Sequence, residues 1–293
     1  MDYLDKLEEE SLRVIIEAYN NLDNPVVLFS GGKDSAVLLH LVKKALQIHE
    51  YEPFLNILHV DTGHNFKEVL DFRDSVTPKV IVRKVQDTID AHKIDIGFTE
   101  SRNQLQSTTL LEALDEFKFD AAFGGGRRDE DAARSKERFF SFRNGQGQWD
   151  PESQRCEIWN IFNCHKNAGK QEGFRVFPIN NWAELDIWAY IARENVAIPD
   201  IYFSHKRKVI KRGQYYLDHC DLHTIQEGDE VVEEYVRFRT VGDITCTSAI
   251  KSNAATALEI YHELCNVNSR ERSTRIDDYN KYSMEERKQQ GYF

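Results

Sequence analysis

The chain has 293 residues, 41% of them hydrophobic, and a formal net charge of -11. This length and apolar content predict one large α/β domain, alone or with an appendage, and argue against an intrinsically disordered chain. The acidic balance argues against a protein whose whole surface binds nucleic acid, although it is compatible with a local basic patch.

The sequence predicts a cytoplasmic protein that does not enter a membrane. No apolar run approaches the roughly 18 residues of a membrane-spanning helix, and the first residues are acidic rather than those of a signal peptide. The cysteines lack a C-x-x-C pair, and the cluster of Cys156, Cys164 and His165 does not match the usual zinc spacings. We therefore expect reduced, structural thiols at Cys156, Cys164, Cys220, Cys246 and Cys265.

The start of the chain predicts a helix, a buried strand and then a glycine turn. Apolar residues at helical spacing indicate an amphipathic helix from Leu4 to Leu22. A short run rich in β-branched residues, 24–29, is typical of a buried strand in a parallel sheet. The next helix is expected to begin near Asp34 or Ser35, so strand, turn and helix follow one another within a few residues.

The turn itself, Ser-Gly-Gly-Lys-Asp-Ser at 30–35, predicts a phosphate site. Two glycines let the backbone N–H groups approach an oxyanion, and the helix N-terminus adds the positive end of its dipole. Lys33 supplies a full charge, while Ser30 and Ser35 supply hydroxyl donors. Asp34 is either close to a metal through water or a helix cap.

A second predicted strand, 53–60, ends in polar residues. Because ligands bind beyond the carboxyl ends of parallel strands, we expect His59, Asp61 and Thr62 to lie on the same rim as the glycine turn. Asp61 either holds a ribose hydroxyl or the hydration shell of a metal, or caps the helix predicted at 66–75.

A second glycine loop follows another predicted strand, 119–123. Its sequence is Gly-Gly-Gly-Arg-Arg at 124–128, and it is expected on the same rim. The glycines permit a close backbone approach to a ligand, and Arg127 and Arg128 offer forked donors that suit phosphate or sulfate. Arg143 is a further candidate anion ligand downstream.

The remaining sequence completes a two-part organisation. For the basic residues Arg134, Lys136 and Arg138 the leading interpretation is a solvated face. A long loop at 145–173 is predicted to cover one side of the site, and a strand at 174–179 and a helix at 182–191 follow it. We predict a nucleotide-binding catalytic domain over 1–198 and a C-terminal extension over 199–293, which is irregular and contacts a partner.

The spacing of the first glycine turn is too short for a Walker A loop. It resembles the SGGxDS loop of the PP-loop ATP pyrophosphatases, which split ATP between the α and β phosphates. With the Gly-Gly-Gly-Arg-Arg-Asp-Glu block and the terminal Gly-Tyr-Phe, nearly the whole chain resembles the small, catalytic subunits of bacterial sulfate adenylyltransferases. The motifs that carry this resemblance are 29–35, 58–63, 119–138, 141–143, 149–151, 176–178, Trp182, 186–188, 236–240 and 290–293.

The resemblance implies a fold, a reaction and a partner. The fold is a doubly wound, mostly parallel five-stranded sheet of the adenine nucleotide alpha hydrolase-like type. The reaction is ATP plus sulfate giving adenosine 5′-phosphosulfate and pyrophosphate, with Mg2+ bound through the ATP phosphates and without direct protein ligands. The implied partner is a larger GTPase subunit. The segment 242–247 departs from the family's Gly-Cys-Trp-Pro-Leu-Thr type of sequence.

The same resemblance assigns roles to residues. Catalysis falls to Lys33, Arg127 and Arg128. Sulfate or another anion is held by Arg127, Arg128 and Arg143. ATP is held by Ser30, Gly31, Gly32, Lys33, Asp34, Ser35, His59 and Asp61.

Three other functions stay open at this point. A reductase of the phosphoadenosine phosphosulfate type needs a reactive cysteine in a Glu-Cys-Gly-Leu-His tail, and the sequence contains no such tail. A nucleic-acid sulfur-transfer enzyme typically needs paired cysteines or a basic face. A non-catalytic nucleotide sensor would bind through the same loops.

Overall fold

The computed structural model describes residues 2–49, 55–76, 78–97, 99–149, 154, 157, 173–266 and 271–276. In chain order the helices and strands are α1 (Tyr3–Asn21), β1 (Pro25–Leu28), α2 (Lys33–Ile48), β2 (Asn56–Asp61), α3 (Lys67–Ser75), β3 (Ile81–Lys84), α4 (Val85–His92), α5 (Leu105–Glu116), β4 (Ala121–Phe123), β5 (Phe140–Arg143), β6 (Gly173–Val176), α6 (Glu184–Glu194), β7 (His205–Arg212), β8 (Tyr215–Asp218), β9 (Glu230–Arg237), β10 (Ser248–Lys251) and α7 (Ala257–Cys265).

The first six strands form one sheet in the order β3-β2-β1-β4-β6-β5. All neighbours are parallel except β5 and β6, which run antiparallel. The predicted doubly wound, mostly parallel α/β fold is confirmed, but the sheet has six strands rather than five. The additional strand is β5, where Phe140 and Phe142 alternate with Ser141 and Arg143. The basic residues around it concealed this alternation.

Both faces of the sheet are covered, as a doubly wound fold requires. On one face Val27, Ile57 and Phe123 pack with apolar residues of α1, α2 and α6. On the other face the alternate residues Val26 and Ala122 pack with apolar residues of α5. This double burial explains why the strands are short, continuously apolar runs.

The C-terminal part is more regular than the sequence suggested. Strands β7 to β10 close into a four-stranded antiparallel barrel, in the order β10-β8-β7-β9. The expectation of an irregular extension is therefore corrected. The sequence indicates β structure only at 231–240, which largely coincides with β9. Charged residues hid the other strands, because cross-strand pairs such as Lys206 with Glu233 and Lys211 with Glu230 lie on the barrel surface. The division at residues 198 and 199 stays a prediction.

The barrel region is joined to the sheet by further contacts. Helix α7 packs on α6, and the buried Arg239 donates to both carboxylate oxygens of Glu184 at the start of α6. Within the described part of the chain, every helix is too short or too polar to cross a bilayer.

Candidate active site

The first glycine turn joins β1 to α2 and has little room for side chains. Gly31 has φ +77°, and a Cβ there would lie 2.6 Å from Cγ1 of Val69. This position therefore requires glycine on both backbone and steric grounds. Helix α2 begins at Lys33, one residue before the predicted start, with Gly32 as its N-cap. The N–H of Lys33 donates to the Tyr202 hydroxyl, and those of Asp34 and Ser35 follow it at the positive end of the helix dipole.

The second glycine loop rests directly on the first. A Cβ on Gly125 would lie 3.1 Å from the carbonyl carbon of Asp34 and from the nitrogen of Ser35. The two loops, 30–35 and 124–128, thus meet at backbone contact distance. The hydroxyls of Ser30 and Ser35 lie 3.1 Å apart at the same place. The expectation that both loops share one rim agrees with this placement.

Four charged side chains form an ionic cluster beneath the loops. The Lys33 ammonium lies 2.9 Å from Oδ2 of Asp34, and Nε of Arg127 lies 2.7 Å from Oδ1 of the same carboxylate. Glu271 joins the two cations a second time, with one oxygen on Lys33 Nζ and the other on Arg127 Nη2. Two cations and two carboxylates leave this cluster electrically neutral.

Burial makes this cluster strongly coupled. Lys33 and Arg127 are 1% and 0% exposed. Burial alone would raise the pKa of Glu271, but the charges of Arg127 and Lys33 outweigh it and hold that pKa well below its usual range. Likewise, burial would lower the pKa of Lys33, and Asp34 and Glu271 raise it instead. Glu271, Lys33 and Arg127 are therefore charged at neutral pH.

A cavity of about 260 Å³ opens above this cluster. It is bounded by the two glycine loops, the end of β2, the start of α5, and the segments 240–243 and 271–275. Its lining combines apolar residues, among them Leu58, Val60 and Leu110, with the polar glycine loops and Arg175. A cavity lined by both apolar side chains and phosphate-type donors suits a nucleotide, whose base is apolar on its faces and whose other end is anionic.

His59 lies on the cavity wall but is not a cation there. Its Nδ1 lies 2.8 Å from the carbonyl oxygen of Phe29, which can only accept, so Nδ1 carries the proton. Burial lowers the pKa of His59 and keeps the ring neutral. The ring consequently offers no charge to a phosphate.

Asp61 and Asp34 do not cap helices. The N-cap of α3 is Phe66, without a side-chain cap, whereas Asp61 accepts from the N–H of Gly63 at 2.8 Å and from Arg73 at 3.1 Å. The capping alternative for Asp61 is therefore wrong. Asp34 stands in the first turn of α2, and its carboxylate binds Lys33 and Arg127 rather than backbone N–H groups.

The arginines expected to hold the anion are separated from one another. Arg128 donates to the carbonyl of Glu137 at 2.9 Å and to the Asn181 side chain at 2.5 Å, and its side chain is 35% exposed. Arg143 is buried and lies 3.6 Å from Glu137. Arg127, which is fully buried beneath the loops, Arg128 and Arg143 are all missing from the described residues that line the cavity.

Sequence reasoning missed several residues of this site, among them Arg175, Tyr202 and Glu271. Arg175 lines the cavity, and burial together with the neighbouring Arg143 lowers its pKa to about 9. The sequence feature that could have pointed to Arg175 is a charged residue inside the apolar strand predicted at 174–179. The Tyr202 hydroxyl accepts from the N–H of Lys33 at 3.0 Å, and burial raises its pKa to about 12. Glu271 carried no signal, because its partners are more than a hundred residues away in the chain.

Some predicted features lie outside the described residues. These are Cys156, Cys164, most of the loop at 145–173, Asp150 and Pro151, and the terminal 290–293. In the described portion, Cys220, Cys246 and Cys265 form no disulfide. The same portion contains no group of three side chains that could hold a metal.

The comparisons first define a class. Residues 24–249 match the phosphoadenosine phosphosulfate reductase domain family. The crystal structure of FMN adenylyltransferase from Candida glabrata has a TM-score of 0.52 with this chain, at 13% identity, and the match covers 94% of this chain and 88% of that one. At this identity the likeness concerns the fold alone.

Closer relatives give the family within that class. Sulfate adenylyltransferase subunit 2 of Mycolicibacterium vanbaalenii is 47% identical over 300 residues, covering 100% of this chain and 95% of the relative. The protein of the same name from Mycobacterium tuberculosis is 48% identical with the same coverage. The chain belongs to the family of sulfate adenylyltransferase subunit 2, which confirms the resemblance found in its motifs.

Proposed function

We propose that the chain is the catalytic subunit of a sulfate adenylyltransferase, which converts ATP and sulfate into adenosine 5′-phosphosulfate and pyrophosphate. The observation that carries the proposal is the contact between the two glycine loops above Lys33 and Arg127. The full-length identity to proteins named sulfate adenylyltransferase subunit 2 selects this reaction among those that a phosphate-binding rim could support.

The reaction follows from this arrangement. A sulfate oxygen attacks the α-phosphorus, the bond between that phosphorus and the bridging oxygen to the β-phosphate breaks, and pyrophosphate leaves in line. The protein contributes positioning and charge, without a covalent nucleophile. The N–H groups of Gly31, Asp34 and Ser35 would face the leaving pyrophosphate, because those of Gly32 and Lys33 already donate to Ser30 and Tyr202. Lys33 supplies positive charge to it, with Ser30 and Ser35 as hydroxyl donors.

The sulfate must be held on the side of the second glycine loop. Arg127 stays a candidate for this role, and Arg175 joins it because it lines the cavity. Arg128 would have to give up its hydrogen bond with Asn181 to reach the sulfate. Arg143 would add only its electrostatic effect, since it neighbours Arg175. Sulfate and the ATP phosphates are all anions, so their alignment requires cations on both sides of the reacting phosphorus.

We assign Mg2+ to the substrate rather than to a site of the protein. The nearest carboxylate to the glycine turn is Asp34, and both of its oxygens already accept from Lys33 and Arg127. Direct ligation by Asp34 would break these ion pairs. Mg2+ is therefore proposed to enter with ATP on phosphate oxygens, as this cation commonly does in nucleotide sites.

A GTPase partner and a cytoplasmic location belong to the same proposal. The relatives are named as the second of several subunits, and making adenosine phosphosulfate from ATP is energetically uphill. A GTP-hydrolysing partner would supply the missing free energy. The C-terminal region, 199–293, is the proposed contact surface for it.

The proposal is tested by incubating the purified chain with ATP, Mg2+ and sulfate, with and without the GTPase partner and GTP. Adenosine phosphosulfate is then quantified by chromatography. We expect product with the partner and GTP present. A complete lack of product under that condition would contradict the proposed reaction.

A further inference from the structure

The two cations beneath the glycine turn are bridged by a carboxylate of the chain itself. The two oxygens of Glu271 contact Lys33 Nζ and Arg127 Nη2 separately. A phosphate or sulfate group that bound the same two cations would present two oxygens in the same way. Glu271 thus occupies a place that fits a tetrahedral oxyanion.

Glu271 reaches this place from a short segment, 271–276, that forms one wall of the cavity. Its first residues, Glu271–Thr274, make a 3-10 turn. Arg272 lies 3.0 Å from Glu130, next to the second glycine loop. The N–H of Ile276 donates to the carbonyl of Cys246 at 3.0 Å. The segment is therefore held by contacts other than the carboxylate, so Glu271 can leave the cations without detaching the wall.

Electrostatics prevents Glu271 and a ligand oxyanion from binding Lys33 and Arg127 at the same time. With Glu271 in place, Lys33 and Arg127 face two carboxylates and the cluster is neutral, so an arriving oxyanion gains little attraction. Without it the cluster keeps two cations and only one close carboxylate, Asp34, because Asp129, 3.7 Å from Nη1 of Arg127, is 56% exposed and screened by solvent. The cluster then carries a net positive charge in a largely buried setting where charges act strongly. An anion in this setting would restore neutrality.

We infer that Lys33 and Arg127 form an oxyanion seat that Glu271 and a ligand oxyanion occupy in turn, which makes Glu271 a built-in competitor of the substrate or product. The inference rests on the proposed function and adds a regulating contact to its site. Two sources share the oxyanion chemistry, namely the pyrophosphate part of ATP and sulfate. Only molecules in which Glu271 has left the seat can bind that ligand. The apparent Kd is therefore the intrinsic Kd divided by the fraction of such molecules.

A purely supporting role for Glu271 predicts the opposite result. If the carboxylate only orients Lys33 and Arg127 for the ligand, its removal would disorder them and weaken binding. The sign of the change in affinity therefore decides between the two roles.

The experiment titrates the full chain with inorganic pyrophosphate and, separately, with sulfate, by calorimetry. Three proteins are compared: the unmodified chain, Glu271→Gln and Glu233→Gln. The last is the matched control, because it removes one negative charge from an exposed pair with Lys206 on the barrel. We expect Glu271→Gln to bind pyrophosphate, sulfate or both about tenfold more tightly, with Glu233→Gln unchanged. The ligand that gains affinity identifies the oxyanion. Unchanged or weaker binding of both ligands overturns the inference.

A second measurement covers the case in which Glu271→Gln folds poorly, since it leaves Lys33 and Arg127 partly uncompensated. Thermal unfolding is followed with and without the oxyanion, because a ligand that binds the folded state raises Tm. We expect a larger rise in Glu271→Gln than in the other two proteins, and an equal or smaller rise overturns the inference. Product formation by the unmodified chain with its partner is assayed in parallel, so that a failure of the proposed reaction is recognised separately.

Discussion

The rim of the sheet and the surface of the barrel use charged residues in opposite ways. At the rim, Lys33, Arg127 and Glu271 are buried and hold one another. On the barrel, pairs such as Lys206 with Glu233 lie in solvent. Buried charges cost several kcal/mol each unless they are paired, whereas exposed pairs contribute about 0–1 kcal/mol. The difference teaches that a buried cluster at the glycine loops, rather than the number of ion pairs, marks the functional region, since the buried pair of Arg239 with Glu184 serves only to join barrel and sheet.

The largest expected effect comes from removing a cation of the rim. Arg127→Ala and Lys33→Ala should each lower kcat/KM for adenosine phosphosulfate formation about 100-fold or more, because each removes charge facing the transition state. Each should also lower the free energy of unfolding by about 3 kcal/mol, since a buried carboxylate loses a partner.

Lys136→Ala is the control for this pair of variants, because Lys136 is a basic residue near the second loop but exposed. Activity is measured in the complex with the partner, and circular dichroism checks that the fold is retained. Normal turnover in both Arg127→Ala and Lys33→Ala would remove these residues from the proposed machinery.

The second prediction compares glycines of the two regions. Gly31 and Gly213 both have positive φ, but a Cβ on Gly31 would meet Val69 at 2.6 Å, whereas a Cβ on Gly213 in the barrel would meet no atom within 4 Å. Gly213→Ala should cost about 1 kcal/mol of unfolding free energy from backbone strain alone. Gly31→Ala should cost roughly 2 kcal/mol or more, because overpacking adds to that strain.

Urea unfolding measures both glycine variants, and pyrophosphate titration measures the phosphate site. Gly31→Ala should also lose affinity for pyrophosphate, while Gly213→Ala keeps it. Equal stability losses in the two variants would mean that Val69 moves aside without cost.

Sequence reasoning located the rim much better than it located the charges that complete it. Glycine runs after apolar strands have a local signature, so loops 30–35 and 124–128 were found together with their common edge. Glu271 and Tyr202 reach Lys33 only through the folded chain, and their neighbours in sequence give no hint of it. In the barrel, strands β7 and β9 carry alternating charges that pair across the strands, and such residues are also typical of loops.

A third prediction concerns Arg175, which lies inside a buried strand and lines the cavity. Burial and the neighbouring Arg143 lower its pKa to about 9, which indicates that its charge is costly where it stands. Arg175→Met should therefore leave stability unchanged or raise it, because an apolar side chain of similar length replaces a buried charge. The KM for sulfate should rise about tenfold.

The KM for ATP is the internal comparison for Arg175→Met and should change much less. A rise in both KM values, together with a loss of stability, would assign Arg175 to the architecture of the sheet rather than to the anion.

A fourth prediction uses pH. Burial lowers the pKa of His59 below its ordinary 6.5, although the nearby Asp61 partly opposes this. The unfolded chain then binds a proton at mildly acidic pH that the folded chain does not, so stability falls as pH drops below 6.5 and is complete above it. His59→Gln should reduce this slope in urea unfolding between pH 5 and 7, and the exposed His49→Gln should not. Identical slopes in all three proteins would place the acid sensitivity elsewhere.

The smallest effect is expected on the barrel. Glu233→Gln breaks the exposed pair with Lys206, whose ammonium lies 2.7 Å away. The free energy of unfolding should change by about 0.5 kcal/mol or less, because solvent screens the pair and both side chains regain rotamer freedom. The double variant with Lys206→Gln isolates the pair energy in a double-mutant cycle measured by urea unfolding. A coupling energy between Glu233 and Lys206 above about 1 kcal/mol would contradict the proposed difference between buried ion pairs at the rim and exposed ones on the barrel. The exposed pair would then stabilise the fold as much as a partly buried one. A negligible coupling would leave burial as the property that separates the charges of the site from those of the surface.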